Sequence, residues 1–298
     1  MRKISALVGP MRLPFVILAP ICVLLGIATA DKSGGQFSVF QAILAILGGI
    51  FAHISVNAFN EYADFKSGLD FKTQKTPFSG GSGTLPENPE SAGAVFILAW
   101  LTLIATIVIG LYFIRIRGWV LLPLGVVGAL AVLGYSKWFV QTPFLCLISP
   151  GIGFGSVMVI GTHVALTGKY DSIAIAASFI PFFLVSNLLL LNQFPDLDAD
   201  REIGRRHYPI LLGRKKSAWL YVIILVLAYL SLIVSILLAI LPVWALLGMA
   251  TVPLAIAAGM GALKYANDSK AIVPYLILNV VINLLTPLLM AIGIFVSA

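Results

Sequence analysis

The sequence predicts an all-α, polytopic membrane protein with about nine transmembrane helices in one bundle. Hydrophobic residues make up 60% of the 298 residues and charged residues only 10%, and the mean hydropathy is +1.03. This composition leaves little surface for water and is typical of a chain that lies largely within a lipid bilayer. Apolar runs near the roughly 20 residues that a bilayer-spanning helix needs recur along the whole chain. We therefore predict one integral membrane domain over residues 1–298.

Short polar segments divide these apolar runs into separate spans. The charges of Arg115 and Arg117 are costly in hydrocarbon, so they mark a boundary between the third and fourth spans. The predicted spans are residues 12–30, 39–62, 92–114, 119–136, 143–166, 173–194, 217–241, 243–262 and 271–296.

The distribution of basic residues predicts the orientation in the membrane. With the N-terminus on the cytoplasmic side, fifteen of the 19 Lys and Arg residues fall on that side, as the positive-inside rule requires. The same orientation places the loops 63–91 and 195–216 in the cytoplasm. These loops and the helix ends that lead into them contain nine of the 12 acidic residues. We therefore expect a cell-membrane protein whose charged cavity opens towards the cytoplasm.

Both long loops follow a helix that ends in the pattern Asn-xxx-Asp. The residues are Asn60 and Asp64 after the second span, and Asn192, Asp196 and Asp200 after the sixth. Residues four positions apart lie on one face of a helix, so each set forms an oxygen-rich face. Pro195 is expected to kink or end the second of these helices just before its Asp. The repeated pattern suggests two helical halves that each contribute one acidic helix end.

Carboxylate and amide oxygens in this arrangement point to a magnesium diphosphate site. Mg²⁺ prefers hard oxygen ligands and is usually shared with the phosphates of a substrate. A diphosphate also needs direct charge neutralisation, and basic residues stand beside the acids: Lys66, Lys72, Lys75, Arg201, Arg205 and Arg206. The alternative is that these charges only solvate the loops and fix the topology.

Other polar residues extend the candidate site. His53 and Asn57 continue the first acidic face into the membrane at helical spacing, and His163 is a further intramembrane histidine. They are candidates to contact an acceptor or to line a cavity, although such residues also pack as hydrogen-bonded core groups. Tyr135, Ser136 and Lys137 stand at the cytoplasmic end of the fourth span. They are candidates to present two hydroxyls and a cation to the site, or alternatively to form an interfacial aromatic belt with a basic anchor. We expect His207 to be a loop residue.

Three stretches resemble the UbiA-type superfamily of intramembrane prenyltransferases. They are "NEYADFKSGLD" and "DLDADREIGRRHYPILLGRK", which are similar to its two Asp-rich motifs, and "GFGSVMVIGTHVALTG". The first is most similar to the 1,4-dihydroxy-2-naphthoate prenyltransferases of the menaquinone branch. Glu61 stands where the family commonly has Asp, which keeps the charge but moves it. "RRHYPILLG" also departs from the common wording of the second loop.

The resemblance implies Mg²⁺-dependent transfer of a prenyl group from a prenyl diphosphate to an aromatic acceptor, with 1,4-dihydroxy-2-naphthoate expected as the acceptor. The implied metal ligands are Asn60, Asp64, Asp196 and Asp200, assisted by Asp70 and Asn192. The implied diphosphate-binding residues are Lys66, Lys75, Arg201, Arg205, Ser136 and Lys137. The predicted catalytic residues are Asp64, Asp196, Lys66 and Tyr135.

Other functions agree with part of the pattern. The acceptor is alternatively 4-hydroxybenzoate, geranylgeranylglyceryl phosphate, a chlorin or a haem, each of which needs a differently shaped pocket. A transporter with acidic cation ligands is a different class, although transporters usually bind near the midplane of the membrane. A factor that binds prenyl diphosphate or quinone without turnover is a third. The expected partners are the two small-molecule substrates and the lipid bilayer, with no nucleic acid.

Overall fold

The computed structural model of the protein describes residues 2–73 and 81–297, with side chains from residue 7 onward. Within these residues the chain is helical and its connections are short, as expected where the bilayer offers no hydrogen bonds to an open backbone. The α-helices are α1 (Arg2–Met11), α2 (Leu13–Val16), α3 (Leu18–Lys32), α4 (Val39–Ser67), α5 (Thr84–Glu87), α6 (Ala92–Arg117), α7 (Leu122–Tyr135), α8 (Pro143–Gly151), α9 (Gly161–Thr167), α10 (Ser172–Glu202), α11 (Tyr208–Leu212), α12 (Arg214–Leu237), α13 (Val252–Tyr265) and α14 (Val273–Val296).

Shorter 3₁₀ segments join several of these helices, and one π-helix continues a span. The 3₁₀ segments are Leu69–Phe71, Pro89–Ser91, Trp119–Leu121, Phe139–Gln141 and Val243–Thr251. The π-helix, Ile152–Ile160, connects α8 to α9 without a break. A Cβ at Gly155 would meet the backbone nitrogen of Phe182 at 2.6 Å. Glycine is therefore required where the wider helix approaches α10.

The prediction of a polytopic membrane protein is confirmed. Seven helices of the described chain are long and apolar enough to cross a membrane, and an eighth is counted if the segments Leu7–Val16 and Leu18–Lys32 form one bent span. The shorter apolar helix Trp119–Tyr135 coincides with the predicted fourth span. The number of nine spans stays a prediction, because it depends on counting both the bent pair and this short helix.

The helix α10 lies at the centre of the bundle. It packs against α12, α14, α8 and the π-helix. In its most apolar window 72% of the residues are buried, against 22% in α4 and in α6. The outer helices therefore turn most of their surface towards lipid, and α10 serves as the common wall against which they pack.

Polar side chains tie α10 to two neighbouring helices inside the membrane. Asn187 Nδ2 donates to the backbone oxygen of Tyr221 at 2.8 Å, and the Tyr221 hydroxyl donates to Asn279 Oδ1 at 3.1 Å. Asn279 Nδ2 donates to the backbone oxygen of Asn187 at 3.4 Å. Hydrogen bonds of this kind hold helices together where the surrounding lipid gives no hydrophobic driving force.

Of the two alternatives predicted for Pro195, a kink or a helix end, the helix end is wrong. Pro195 does not end its helix, because α10 continues through it to Glu202 and carries Asp196 and Asp200 on its last turns. Proline removes one backbone donor and crowds the carbonyl four residues earlier, that of Leu191. Within a bundle, contacts with the neighbouring helices compensate for this loss; α10 packs against several helices, and Phe194 and Leu197 on either side of Pro195 are buried.

Candidate active site

The ends of α4 and α10 meet and enclose a small polar pocket of about 110 Å³. All six residues predicted from the sequence as metal ligands line it: Asn60, Asp64, Asp70, Asn192, Asp196 and Asp200. The two Asn-xxx-Asp patterns are 132 residues apart in the sequence, yet they face each other across this pocket. Their helical spacing brings the side chains of each pattern to one face, as predicted.

Arg205 connects the two acidic helix ends. Its Nη2 donates to Asp64 Oδ1, and its Nη1 donates to Asp200 Oδ1 at 3.0 Å. The side chains are largely buried, with exposures of 17% for Arg205, 8% for Asp64 and 3% for Asp200. Burial disfavours the charge, but the carboxylates of Asp64 and Asp200 outweigh it and raise the pKa of Arg205 above its ordinary value. Arg205, one of the residues predicted to bind a diphosphate, is thus held in the pocket by these two carboxylates.

His207 takes part in the same network. It immediately precedes α11, as expected for a loop residue, but it is buried and its Nε2 lies 2.9 Å from Asp200 Oδ2. Both oxygens of Asp200 are therefore hydrogen-bonded, Oδ2 to His207 and Oδ1 to Arg205. This fixes the orientation of the Asp200 carboxylate, a role in which hydrogen-bonded neighbours commonly support candidate metal ligands.

A second set of contacts organises the first acidic motif. Arg12 Nη2 donates to Glu61 Oε2 at 3.3 Å, and the backbone N–H of Ser82 donates to Glu61 Oε1 at 3.0 Å. Glu61 is fully buried, so its charge needs these partners. The segment around Ser82 also brings Gly81 against Asp70, where a Cβ would lie 2.6 Å from Asp70 Oδ1. Gly81 also has φ +72°, so its backbone conformation favours glycine in addition to the close approach of Asp70.

Arg12 occupies the break between α1 and α2, in a left-handed backbone conformation with φ 50° and ψ 51°. A residue with a Cβ rarely adopts this conformation without support from its surroundings. The chain places Arg12 where it lines both the polar pocket and a larger apolar cavity. Its Nε is buried without a hydrogen-bond partner, so the guanidinium retains a donor for another group.

The acidity of Asp70 reflects this crowded environment. Burial raises the pKa of Asp70 to about 7, and the nearby carboxylates of Glu61 and Asp64 add to the rise. One of its oxygens, Oδ2, is buried without a hydrogen-bond partner. A cation beside this oxygen would oppose the rise.

The donor atoms of the pocket agree with Mg²⁺. All six candidate ligands present carboxylate or amide oxygens, and Asn192 Oδ1, like Asp70 Oδ2, is buried without a partner. Across residues 2–73 and 81–297, no three His, Cys, Asp or Glu side chains lie close enough together to hold a metal ion by themselves. Mg²⁺ does not require such a cage, because it usually keeps several waters and shares one or two carboxylates with substrate phosphates. The residues therefore fit a metal held jointly with a diphosphate.

Beside the polar pocket lies an apolar cavity of about 590 Å³. The walls come mainly from α4, α6, α7 and the π-helix, with aliphatic side chains and glycines such as Gly125 and Gly153. Arg12, Asn60, Tyr135 and Asn192 belong to the lining of both spaces. The charged pocket and the apolar cavity thus adjoin at a shared boundary.

The other predicted diphosphate-binding residues that the structure describes do not line the pocket. Lys66 is exposed, with its Nζ 5.6 Å from the ring of Tyr62, and Lys137 is exposed, 5.5 Å from the ring of Trp138. Arg201 is also exposed. Ser136 is partly buried and does not line the polar pocket. Lys75 lies outside the residues that the structure describes. Diphosphate binding by these five residues stays a prediction.

The polar residues predicted within the membrane divide into two groups. His53 and Asn57 line the apolar cavity, and Asn57 Nδ2 donates to the backbone oxygen of Met11 at 3.2 Å. His163 is fully buried outside the cavity lining, and its Nδ1 lies 3.1 Å from the Thr29 hydroxyl. Of the candidates for acceptor contact, His53 and Asn57 are therefore correctly placed to reach a ligand in the cavity.

Comparison with known proteins agrees with this geometry. The sequence profile of the UbiA prenyltransferase family matches residues 19–282. The chain belongs to the UbiA prenyltransferase family. The resemblance noted from the two Asp-rich motifs is thereby confirmed.

Several members of the UbiA family are similar in sequence. A 1,4-dihydroxy-2-naphthoate octaprenyltransferase of Bacillus subtilis (strain 168) is 30% identical over 203 residues, which are 65% of this chain and 63% of that protein. A UbiA prenyltransferase domain-containing protein 1 of Dictyostelium discoideum is 25% identical over 218 residues, 70% of this chain and 64% of that protein. The matched region thus spans less than two thirds of either relative. A digeranylgeranylglyceryl phosphate synthase of Methanobrevibacter smithii is 27% identical over 205 residues, 68% of each chain.

Solved structures of UbiA homologues share the fold. A homologue from Aeropyrum pernix K1 superimposes with a TM-score of 0.71 at 18% identity, covering 95% of this chain and 97% of that one. A structure of a digeranylgeranylglyceryl phosphate synthase gives 0.69 at 20% identity, covering 99% of both chains. A homologue from Archaeoglobus fulgidus bound to GPP and Mg²⁺ gives 0.58 at 15% identity, covering 96% and 99%.

Sequence reasoning missed Arg12, Ser82 and His207 as parts of this UbiA-type site. Arg12 stands between two prolines in "GPMRLP", which signals a break in the first helix. Its approach to Glu61 depends on how that break folds. His207 and Ser82 belong to loops, whose positions depend on tertiary contacts that no periodicity encodes.

Proposed function

We propose that this protein transfers a prenyl group from a prenyl diphosphate to an aromatic acceptor, and that the acceptor is 1,4-dihydroxy-2-naphthoate. The observation that carries the proposal is the boundary between the oxygen-lined pocket and the apolar cavity of about 590 Å³. A substrate with a charged head and a long apolar tail is complementary to these two adjoining spaces. Asn60, Tyr135 and Asn192, which line both, would lie beside the carbon that joins the head to the tail.

The residues of the pocket suit departure of a diphosphate. The candidate metal ligands are Asn60, Asp64, Asp70, Asn192, Asp196 and Asp200. When bound, Mg²⁺ would neutralise the diphosphate and make it a better leaving group. Arg205 adds a fixed positive charge, and Arg12 offers its unpartnered Nε. Preoriented charges of this kind stabilise the negative charge that develops as the bond breaks.

Bond breaking leaves an allylic cation that must meet the acceptor before water. The bond between C1 and the diphosphate oxygen breaks, and its electron pair leaves with the diphosphate. The electron-rich acceptor ring then forms a carbon–carbon bond to C1. It regains aromaticity when the group at that carbon leaves, either as a proton taken up by the released diphosphate or, for a carboxylate, as CO₂. The apolar walls of the cavity exclude water from the cation. Tyr135 lines both spaces at their boundary.

The choice of acceptor is supported by relatives. The Bacillus subtilis protein and one of Haemophilus influenzae, 23% identical over 193 residues, are both named 1,4-dihydroxy-2-naphthoate octaprenyltransferases. Digeranylgeranylglyceryl phosphate synthases occur among the relatives and among the similar folds. Geranylgeranylglyceryl phosphate is therefore the second acceptor to test.

We also propose that residues 1–298 form one integral membrane domain whose pocket opens to the cytoplasm. The basic residues of the loop 195–216, which also carries Arg205, support this orientation; among them are Arg201, Arg206 and Lys215. A cysteine introduced at position 201 should react with a membrane-impermeant thiol reagent in inverted vesicles and stay unreacted in right-side-out vesicles. The opposite pattern would reverse the orientation.

The test of function is an assay with the purified protein reconstituted in lipid vesicles. A labelled long-chain prenyl diphosphate is supplied with Mg²⁺ and with 1,4-dihydroxy-2-naphthoate, 4-hydroxybenzoate or geranylgeranylglyceryl phosphate in parallel. We expect transfer to the naphthoate, lost with EDTA and lost in Asp196→Ala. The matched control is Asp198→Ala, because Asp198 lies on the same turn but is 72% exposed and bonded to Arg214.

The outcomes separate the parts of the proposal. Transfer to a different acceptor would keep the reaction and contradict the acceptor. Failure of the protein to bind or consume prenyl diphosphate in the presence of Mg²⁺ would contradict the reaction itself. Equal loss of activity in Asp196→Ala and Asp198→Ala would contradict the assignment of the pocket.

A further inference from the structure

Two polar groups stand in the wall of the apolar cavity, on residues other than the six candidate metal ligands. His53 Nδ1 and Ser149 Oγ are both buried without a hydrogen-bond partner, and both residues line the cavity. Each residue is only 5% exposed. A buried polar atom without a partner costs roughly 1–3 kcal/mol, so its retention in an apolar wall needs an explanation.

His53 lies on the same face of α4 as the first acidic motif. It precedes Asn60 by seven residues, which is two helical turns or about 10 Å along the axis. Its ring contacts the Phe154 ring edge-to-face, with centroids 4.8 Å apart. A neutral imidazole has one protonated nitrogen and one acceptor nitrogen, and in the tautomer protonated at Nε2 the acceptor is Nδ1. That acceptor needs an O–H or N–H group from a ligand.

Ser149 lies in α8, five residues before Phe154. Gly153, about one turn after Ser149, also lines the cavity, and a Cβ placed there would meet nothing within 4 Å. The wall formed by Ser149, Gly153 and Phe154 therefore combines a hydroxyl, open space and an aromatic ring. Aromatic pairs favour offset or edge-to-face contacts, so this wall suits a flat ring.

The absence of a partner alone does not make a binding site. His163 Nε2 and Ser186 Oγ are likewise buried without partners, but neither residue lines the cavity. What distinguishes His53 and Ser149 is that these two residues line a cavity large enough for a ligand. The other two are matched controls of the same residue types.

We propose that His53 and Ser149 form the binding subsite for a hydroxylated aromatic acceptor, with a ring hydroxyl donating its hydrogen bond to His53 Nδ1. Ser149 Oγ bonds a second polar substituent of the acceptor, and the ring packs beside Phe154 in the space at Gly153. A ring hydroxyl that donates a hydrogen bond gains electron density on its oxygen. It therefore makes the ring a better nucleophile towards the prenyl carbon. The inference rests on the proposed prenyl transfer and assigns its acceptor side.

The experiment separates acceptor binding from donor binding. His53→Leu and Ser149→Ala are compared with His163→Leu and Ser186→Ala in vesicles, with 1,4-dihydroxy-2-naphthoate as acceptor. One neutral hydrogen bond contributes about 0.5–1.5 kcal/mol, so we expect the KM for the acceptor to rise about 2- to 13-fold in each cavity variant. The Kd for prenyl diphosphate with Mg²⁺, measured by calorimetry without acceptor, should stay within about twofold. The two controls should keep the acceptor KM of the unchanged protein.

A second measurement uses the unchanged protein and keeps the test independent of folding in the variants. O-methylation of the ring hydroxyls removes the donor, so a methyl ether of the naphthoate should bind at least several-fold more weakly. In His53→Leu the hydroxylated and methylated acceptors should differ much less than in the unchanged protein.

Three results would overturn the subsite. They are an unchanged acceptor KM in both cavity variants, an equal loss in the His163 and Ser186 controls, and no discrimination against the methyl ether by the unchanged protein. Transfer only to geranylgeranylglyceryl phosphate would overturn the aromatic acceptor while leaving prenyl transfer intact. If no Mg²⁺-dependent binding of prenyl diphosphate occurs, the proposed function itself fails, and the subsite fails with it.

Discussion

Replacing Arg205 by methionine should destabilise the protein and weaken the binding of a prenyl diphosphate. Methionine keeps much of the length of the side chain but removes both hydrogen bonds and the charge. Asp64 and Asp200 would then face each other across the pocket without the guanidinium that joins them. Each retains one partner: Asn60 Nδ2 at 2.9 Å from Asp64, and His207 Nε2 at 2.9 Å from Asp200.

The expected loss follows from these contacts. A hydrogen bond to a charged group contributes about 1.5–3 kcal/mol, and removing one partner of a buried ion pair typically costs about 3–5 kcal/mol. Since both carboxylates keep a partner and Arg205 is 17% exposed, the lower end applies, about 3 kcal/mol. At about 2–4 °C per kcal/mol for a large domain, Tm should fall by roughly 6–12 °C.

The assay is thermal unfolding of the purified protein in detergent, with EDTA or with Mg²⁺ and geranyl diphosphate. The divalent cation supplies positive charge to the two carboxylates, so the difference in Tm between Arg205→Met and the unchanged protein should shrink when it is added. The matched control is Arg206→Met, the exposed neighbour, whose backbone N–H bonds to the Val140 oxygen and is retained in the variant.

A Tm within about 2 °C of the unchanged protein in EDTA would refute the reasoning. Such a result would mean that Arg205 does not hold the two helix ends together in solution. A deficit that stays the same with Mg²⁺ and geranyl diphosphate would refute the second part, because the added cation would not then be reaching Asp64 and Asp200.

Three further predictions follow from the same structure. Asp64→Ala and Asp196→Ala should each lower kcat at least about a hundredfold while detergent-solubilised protein stays folded by circular dichroism; activity near that of the unchanged protein would remove either residue from the site. Gly81→Ala should raise the Mg²⁺ concentration for half-maximal activity, because its Cβ would press on Asp70 Oδ1 at 2.6 Å and φ is +72°; an unchanged requirement would contradict this contact. Asp171→Ala should cost about 1 kcal/mol of unfolding free energy, since Asp171 caps α10. Burial would raise its pKa, but hydrogen bonds to its carboxylate outweigh burial and lower it. The contribution is thus present above the ordinary pKa and lost as pH falls through the lowered value, and acid titration of Tm that matches between the variant and the unchanged protein would oppose it.

The helical part of the site could be predicted from the sequence. Asn60, Asp64, Asn192 and Asp196 repeat at four-residue spacing, and the period of an α-helix places each pair on one face whatever surrounds it. Apolar length similarly predicted most of the spans. The alternative in which Pro195 ends its helix was wrong, because packing inside a bundle compensates for a missing backbone donor.

The connecting segments could not be predicted in the same way. Arg205 and Arg206 are adjacent basic residues with the same composition signal, yet Arg205 is held between two carboxylates and Arg206 is exposed. Which of them turns inward depends on the turn at Gly204, whose φ is +82°. His207 is brought to Asp200 by the same turn. Side-chain direction in a loop follows from such backbone angles, which a sequence pattern does not specify.

The length of α10 has a consequence for how a substrate would arrive. Its 31 residues extend about 46 Å, whereas the hydrocarbon of a bilayer is about 30 Å thick. With the apolar residues 173–194 in the hydrocarbon, the acidic turns at the end of α10 would lie near the depth of the phospholipid headgroups. A molecule with a phosphate head and an isoprenoid tail already floats at that depth, with its tail dissolved in the acyl chains. It would reach the pocket by diffusing in two dimensions. Exposing a methylene group to water costs about 0.8 kcal/mol. A tail that moves from the acyl chains to the cavity without entering water avoids this cost, so a longer tail adds little to the free-energy barrier for binding.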